Sequence, residues 1–211
     1  MRFDIHSHII YGVDDGSQSR EESLRMLDAA SRCGIDRIMA TPHYRNKWKN
    51  RAAARQVFSE LRTDAMQRGI TLQLGSEFYI GEYDRDRIDF IKSELCFEDS
   101  NALLLELSPH TSLEEAQDVI YPLQRSGIEI ILAHPEKYLH IQNNRRGYED
   151  FLLMGCKLQL SAEWLTFPFW NARKRAAKRM LAAGAYEYIA SDAHSAKDYE
   201  LFASVIKKYK L

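Results

Sequence analysis

The chain has 211 residues and is 45% hydrophobic, enough to bury a full core, and a single domain over residues 1–211 is the economical expectation. Charge is balanced, 29 Lys plus Arg against 30 Asp plus Glu, which argues against a general binder of nucleic acid or of an anionic membrane. No apolar run nears the roughly 18 residues that cross a bilayer; strand and motif begin at Arg2, leaving no signal peptide, and Cys33, Cys96 and Cys156 fit reduced thiols in a cytoplasmic protein.

Strand-like runs alternate with helical patterns along the chain. Strands are predicted at about Arg2–His6, Arg37–Thr41, Thr71–Glu77, Ala102–Leu107, Ile128–Ala133, Lys157–Ser161 and Tyr186–Ala190. Helices are predicted near 20–33, 51–68, 84–93, 113–126, 145–154, 169–183 and 197–209. Most strands are continuously apolar, as parallel strands covered on both faces should be. Ser19 with Glu22 reads as a capping box for the first helix. Gly34, Gly69, Gly127, Gly155 and Gly184 each follow a helix, where a left-handed residue turns the chain back into a strand. Such an alternation makes a parallel barrel or a doubly wound sheet, with no linker dividing it.

In such proteins reactive groups collect at the C-terminal strand ends. Strand one ends in His6 and His8, strand two in His43, strand three in Glu77 and strand four in Glu106. Strand five ends in His134 and strand seven in Asp192 and His194, while strand six offers no obvious ligand. Alternation along a strand puts His6 and His8 on one face. Asp15 joins the set, although Asp14-Asp15-Gly16 also reads as a plain acidic turn. Buried Glu77 and Glu106 need a cation, either a metal or an arginine partner. His110 and His140 read as solvated rim residues. A cysteine phosphatase is excluded, since the position six after each cysteine is Met39, Ala102 or Ala162, not arginine.

Imidazole and carboxylate donors suit zinc, manganese or iron and do not choose among them. Five neutral histidines and four carboxylates carry about −4, so three divalent ions leave about +2, and a hydroxide among them lowers this to about +1. A positive cluster attracts a phosphate dianion, which favours phosphoester hydrolysis, with that hydroxide attacking phosphorus in line.

The motifs D-I-H-S-H-I-I-Y-G-V-D-D-G-S (4–17), T-P-H-Y (41–44), G-S-E (75–77), L-E-L (105–107), H-P-E (134–136) and S-D-A-H (191–194) resemble the polymerase-and-histidinol-phosphatase (PHP) superfamily. More closely, the chain is similar to the bacterial tyrosine-protein phosphatases of capsule and exopolysaccharide synthesis. The resemblance implies a distorted (β/α)7 TIM-like barrel of the PHP type, holding three divalent ions. It implies one ion on His6, His8, Glu77 and Asp192, a second on Glu77, Glu106 and His134, and a third on Asp15, His43 and His194. It also implies a phosphotyrosine substrate on a protein, typically the tail of a bacterial tyrosine kinase. A small-molecule PHP phosphatase, acting on histidinol phosphate or a nucleotide, is the alternative, followed by a non-catalytic metal-stabilised scaffold that binds a kinase. The chain departs from the family habit by placing Lys137 after H-P-E and Lys197 after S-D-A-H, where arginines are common. Lys137 and Arg45 are then the expected phosphate contacts, with Lys47 and Lys49 adding charge nearby.

Overall fold

In the computed structural model, which describes residues 2–45 and 49–211, the apolar runs become parallel strands. They are β1 (Phe3–Ser7), β2 (Arg37–Ala40), β3 (His43–Tyr44), β4 (Thr71–Leu74), β5 (Glu77–Tyr79), β6 (Ala102–Glu106), β7 (Glu129–Ala133), β8 (Lys157–Ser161) and β9 (Tyr188–Ala190). Two predicted strands are each cut in half, at Thr41-Pro42 and at Gly75-Ser76. Pro42 has no N–H to donate, so its ladder must break there. The halves still run side by side, Gly75 N–H donating to Ala40 O at 2.8 Å and Glu77 N–H to Pro42 O at 3.1 Å. The order β1-β2-β4 therefore passes into β3-β5-β6-β7-β8-β9.

The two ends of this array meet. Ser7 bridges to Ala193 just past β9, Asp192 N–H donates to His6 O at 3.0 Å and His8 N–H to Ala193 O at 2.9 Å. Below that point the Asp4 carboxylate closes the join, accepting Ser191 N–H at 2.9 Å and the Ser191 hydroxyl at 2.6 Å. Seven strand positions thus close into a distorted (β/α)7 barrel. Part of the distortion lies in β1: Asp4 pairs with Ile38 and Ser7 with Ala40, so three steps on β1 oppose two on β2. The extra residue is a bulge that re-aims side chains. Ile5 packs in the barrel interior, and His6, one residue later, also reaches inward to Gln159 of β8.

The helices are α1 (Arg20–Arg32), α2 (Arg51–Met66), α3 (Ile88–Phe90), α4 (Leu113–Arg125), α5 (Leu139–Asn143), α6 (Gly147–Leu153), α7 (Ala172–Ala182) and α8 (Ala196–Tyr209). All five predicted helix-ending glycines have φ between +65° and +82°. The capping box at Ser19 is only half made. Ser19 accepts Glu22 N–H at 3.2 Å, but the Glu22 carboxylate takes Gln18 N–H, one residue too early. Complete boxes form instead at Ser112/Glu115 of α4 and Ser195/Asp198 of α8. The helix predicted at 84–93 is a chain of short turns ending in a wide one, Ile91–Leu95. The helix predicted from 169 starts at Ala172, because Asn171 caps it and Pro168 precedes it.

Strands are buried on both faces. Inside, Ile5, Met39, Leu104, Ile131, Ala133 and Ala190 fill the barrel, with Phe97 among them. Outside, Met26, Leu27, Leu61 and Phe202 seal one flank under α1, α2 and α8. Ile120, Leu123, Phe151 and Met180 seal the other under α4, α6 and α7. Each Leu, Ile, Met or Phe among them contributes roughly 1.5–3 kcal/mol on burial, which gives a rigid frame for the polar groups at the C-terminal strand ends.

Candidate metal centre

The structure brings all nine sequence-selected side chains to one end of the barrel. His6 Nε2 and His8 Nε2 face each other at 3.1 Å. Glu77 Oε2 lies 3.4 Å from both nitrogens, and Asp192 Oδ1 lies 3.3 and 3.4 Å from them. Glu77 is the hub: it also meets His43 Nδ1 at 2.8 Å and His134 Nε2 at 2.7 Å. Asp15 Oδ1 is 3.3 Å from His43 Nε2 and 3.6 Å from His194 Nε2. Donor atoms close enough to share an ion gather as His6-His8-Glu77, His6-His134-Asp192, His43-Glu77-Glu106 and His8-Asp15-His43-His194. Glu106 thus groups with His43 and Glu77, and His134 with His6 and Asp192, a different division from the sets the resemblance implies. Arg45 sits beside the first of these groups, its Nη1 donating to Glu106 Oε2 at 2.9 Å.

These contacts fit a metal. His6 Nδ1 is 3.0 Å from Gln159 Oε1 and His8 Nδ1 is 2.8 Å from Asp14 Oδ2. Both partners are acceptors, so each ring, when neutral, carries its proton on Nδ1 and turns a bare Nε2 toward the other. The two Nε2 atoms and two carboxylate oxygens then converge. Burial works against protonated imidazole, but Asp192 and Glu77 raise the pKa of His6 and Asp14 raises that of His8, so a metal would displace protons here. With metal–ligand bonds of about 2.1 Å, adjacent ligand atoms lie roughly 3.0–3.4 Å apart, the spacing found here.

The backbone is bent to serve this geometry. His134 and Asp192 have φ of +34° and +54°, left-handed values that side chains other than glycine adopt reluctantly. His134 also precedes Pro135, which makes the strain greater. Gly16 packs on His8 so tightly that a Cβ would sit 2.2 Å from the His8 carbonyl oxygen, so only glycine fits.

The model of the family Capsular polysaccharide synthesis, CpsB/CapC, matches residues 2–201. The chain belongs to the CpsB/CapC family. Tyrosine-protein phosphatase CpsB of Streptococcus pneumoniae is 30% identical over 208 residues, covering 91% of this chain and 82% of that protein. Tyrosine-protein phosphatase YwqE of Bacillus subtilis is 32% identical over 199 residues, covering 92% and 78%. A solved chain from work on YwqE and CpsB, "unique metal-dependent tyrosine phosphatases", superposes with a TM-score of 0.80 at 29% identity, covering 98% and 86%. HisK of Listeria monocytogenes shares the fold alone, with a TM-score of 0.55 at 14% identity over 93% and 97%.

Around this CpsB/CapC centre the charges are strongly coupled. Burial alone would depress His43, but the Glu77 carboxylate overrides it and lifts its pKa to about 9. Burial, then the Lys137 charge, lowers His134 to about 4. Burial and the Glu77 charge raise Glu106 to about 7 despite Arg45. Burial works against the Lys137 ammonium, yet Asp192, Glu77 and Glu106 together hold its pKa above the ordinary value. Its Nζ is 3.8 Å from Asp192 Oδ2. Arg45 is paired with Glu106, the arginine partner that the sequence left open beside a metal. Lys49 is bound to Glu82 and Lys47 lies outside the described residues. His110 is exposed, whereas His140 pairs with Asp150 at 2.6 Å instead of standing in solvent.

Three contributors escaped the sequence reading. Asp14, read as a turn former, does accept Gly16 N–H at 2.9 Å, but its other oxygen orients His8 and accepts His43 N–H at 2.9 Å. Gln159 gives the apparently ligand-free strand six its task, orienting His6. Glu136 is fully buried, bracing Ser161 N–H at 3.0 Å and the Tyr186 hydroxyl at 3.1 Å. A lone polar residue within an apolar strand, as in L-Q-L, is the signal that would have found Gln159.

Proposed function

We propose that this chain is a metal-dependent protein-tyrosine phosphatase that removes phosphate from a bacterial tyrosine kinase of capsule or exopolysaccharide synthesis. The observation that carries the reading is the convergence of His6 Nε2 and His8 Nε2 with oxygens of Glu77 and Asp192 at 3.1–3.4 Å. The nine residues would hold three divalent ions, manganese first, with Glu77 shared between ions and the donors gathered as His6-His8-Glu77, His6-His134-Asp192, His43-Glu77-Glu106 and His8-Asp15-His43-His194. When bound, the ions supply Lewis acidity that makes water nucleophilic and offsets phosphate charge.

The protein's own groups set up the rest. Asp14 and Gln159 fix the imidazole tautomers that leave Nε2 free. Lys137, kept charged by its acidic neighbours, draws a phosphate oxygen toward the centre, and Arg45 can exchange Glu106 for a second oxygen. Tyrosinate, whose parent phenol has a pKa of about 10, leaves without a strong general acid.

The test is phosphate release from a phosphotyrosyl peptide, histidinol phosphate and a dinucleotide, each with manganese and with a chelator. Peptide turnover that needs metal supports the reading; turnover of histidinol phosphate alone sinks it. Full activity in the double variant His6→Ala/His8→Ala would show that the site is elsewhere.

A further inference from the structure

The balanced total charge hides a lopsided surface. Between Asn171 and Tyr186 the sequence holds Arg173, Lys174, Arg175, Lys178 and Arg179 without one acid, although Arg179 turns to the Ile141 carbonyl, and Lys208 of α8 lines the same hollow as Lys178. Just before α7, the turn Phe167-Pro168-Phe169-Trp170 holds two large rings in solvent. Phe169 is 78% and Trp170 67% exposed, and they meet edge to face with centroids 5.0 Å apart.

These rings are braced. Asn171 Oδ1 accepts Lys174 N–H at 3.1 Å. The Lys174 ammonium donates to the Phe167 carbonyl, and the Arg175 guanidinium to the Trp170 carbonyl. Phe167 in turn stacks on buried Trp164, centroids 4.9 Å apart. Phe169 borders a surface hollow of about 690 Å³ whose other walls are Lys174, Arg175, Lys178, Lys208 and Tyr209, with no carboxylate among them.

Rings of this size are normally covered, and an exposed apolar patch marks a contact surface. Aromatic side chains settle at the headgroup level of a bilayer, and lysines and arginines beside them are drawn to acidic lipids. We propose that Phe169 and Trp170, with Lys174, Arg175, Lys178 and Lys208, dock this protein reversibly on membranes rich in acidic phospholipids. An acidic peptide could use the same cations, but a peptide site recesses its aromatic groups, whereas these protrude. The turn just before this loop touches a neighbour of the metal centre. The Trp164 ring, on which Phe167 stacks, lies 5.7 Å from Lys137 Nζ, and that ammonium is 3.8 Å from Asp192.

Sedimentation of the full chain with vesicles tests this. Phosphatidylcholine vesicles containing about one third phosphatidylglycerol should carry the protein down, pure phosphatidylcholine should not, and high salt should release it. Phe169→Ala/Trp170→Ala, and separately Lys178→Glu/Lys208→Glu, should each weaken partitioning about tenfold while circular dichroism and metal content stay unchanged. The proposal fails if acidic vesicles do not bind, or if both double variants sediment like the parent. It also fails if vesicles do not bind and an acidic phosphotyrosyl peptide instead binds through Lys178 and Lys208 by fluorescence anisotropy. Self-association lost in the Phe169/Trp170 variant, seen by analytical ultracentrifugation without vesicles, would overturn it as well.

Discussion

Asp14 shows how a residue that never touches an ion can decide how tightly one is held. Its carboxylate fixes the proton of His8 on Nδ1, and loss of such a partner typically weakens metal binding 10–100-fold. Asp14→Asn should therefore raise the manganese Kd by about that factor with the fold intact, as calorimetry would measure; an unchanged Kd would remove Asp14 from the centre. Protons compete for the same nitrogens. Because the Glu77 charge lifts His43 to about 9, that imidazole is protonated at neutral pH and must lose its proton to bind metal. Below pH 9 the affinity should rise with pH, by up to about tenfold per unit for one displaced proton. Titrations in buffers of different ionisation enthalpy would count that proton; flat affinity from pH 6 to 9 would contradict the assignment. The ligand types themselves were readable from the chain, since histidines and acids each followed an apolar run. Their orienting partners were not. Asp14 beside Gly16 carries the pattern of an ordinary turn, and nothing in one sequence says which of two adjacent acids turns inward.

At the level of strands and helices, the β/α alternation was legible because strands covered on both faces are continuously apolar and because glycine punctuates the helix ends. Residues 80–95 were not, since their apolar groups follow no single period and the chain folds into successive short turns. Nor does a sequence reveal how a barrel closes, because closure depends on pairing the first strand with the last. Here much of it falls to Asp4, which is buried and has its pKa pushed up to about 6 by that burial. Asp4→Ala would strand the Ser191 N–H and leave its hydroxyl only the longer bond to the His6 carbonyl, and should cost roughly 3 kcal/mol in denaturant unfolding. Asp4→Asn, which keeps an oxygen for the Ser191 N–H, should cost clearly less. Equal losses in the two variants would mean that the join rests on packing rather than on this acceptor.

For the whole molecule, the chemistry assigned to the centre uses no sulfur. Burial pushes the Cys96 thiol up to about 11 and the Cys156 thiol up to about 12, so both are inert near neutral pH. Iodoacetamide should leave phosphotyrosyl-peptide turnover intact, while a chelator should abolish it and manganese restore it. Inactivation by the alkylating agent with metal still bound would point to a thiol mechanism. The join between β1 and β9 has a further consequence. Asp4 and Ser191 touch although they stand 187 residues apart, and His6 and His8 on one side of that contact face Asp192 on the other. An ion shared across it would act as a cross-link between two distant segments of the chain, removing the entropy of a very long loop much as a disulfide does. During synthesis, that cross-link would have to wait until the last strand had left the ribosome, so the growing chain would stay catalytically silent until its barrel was whole.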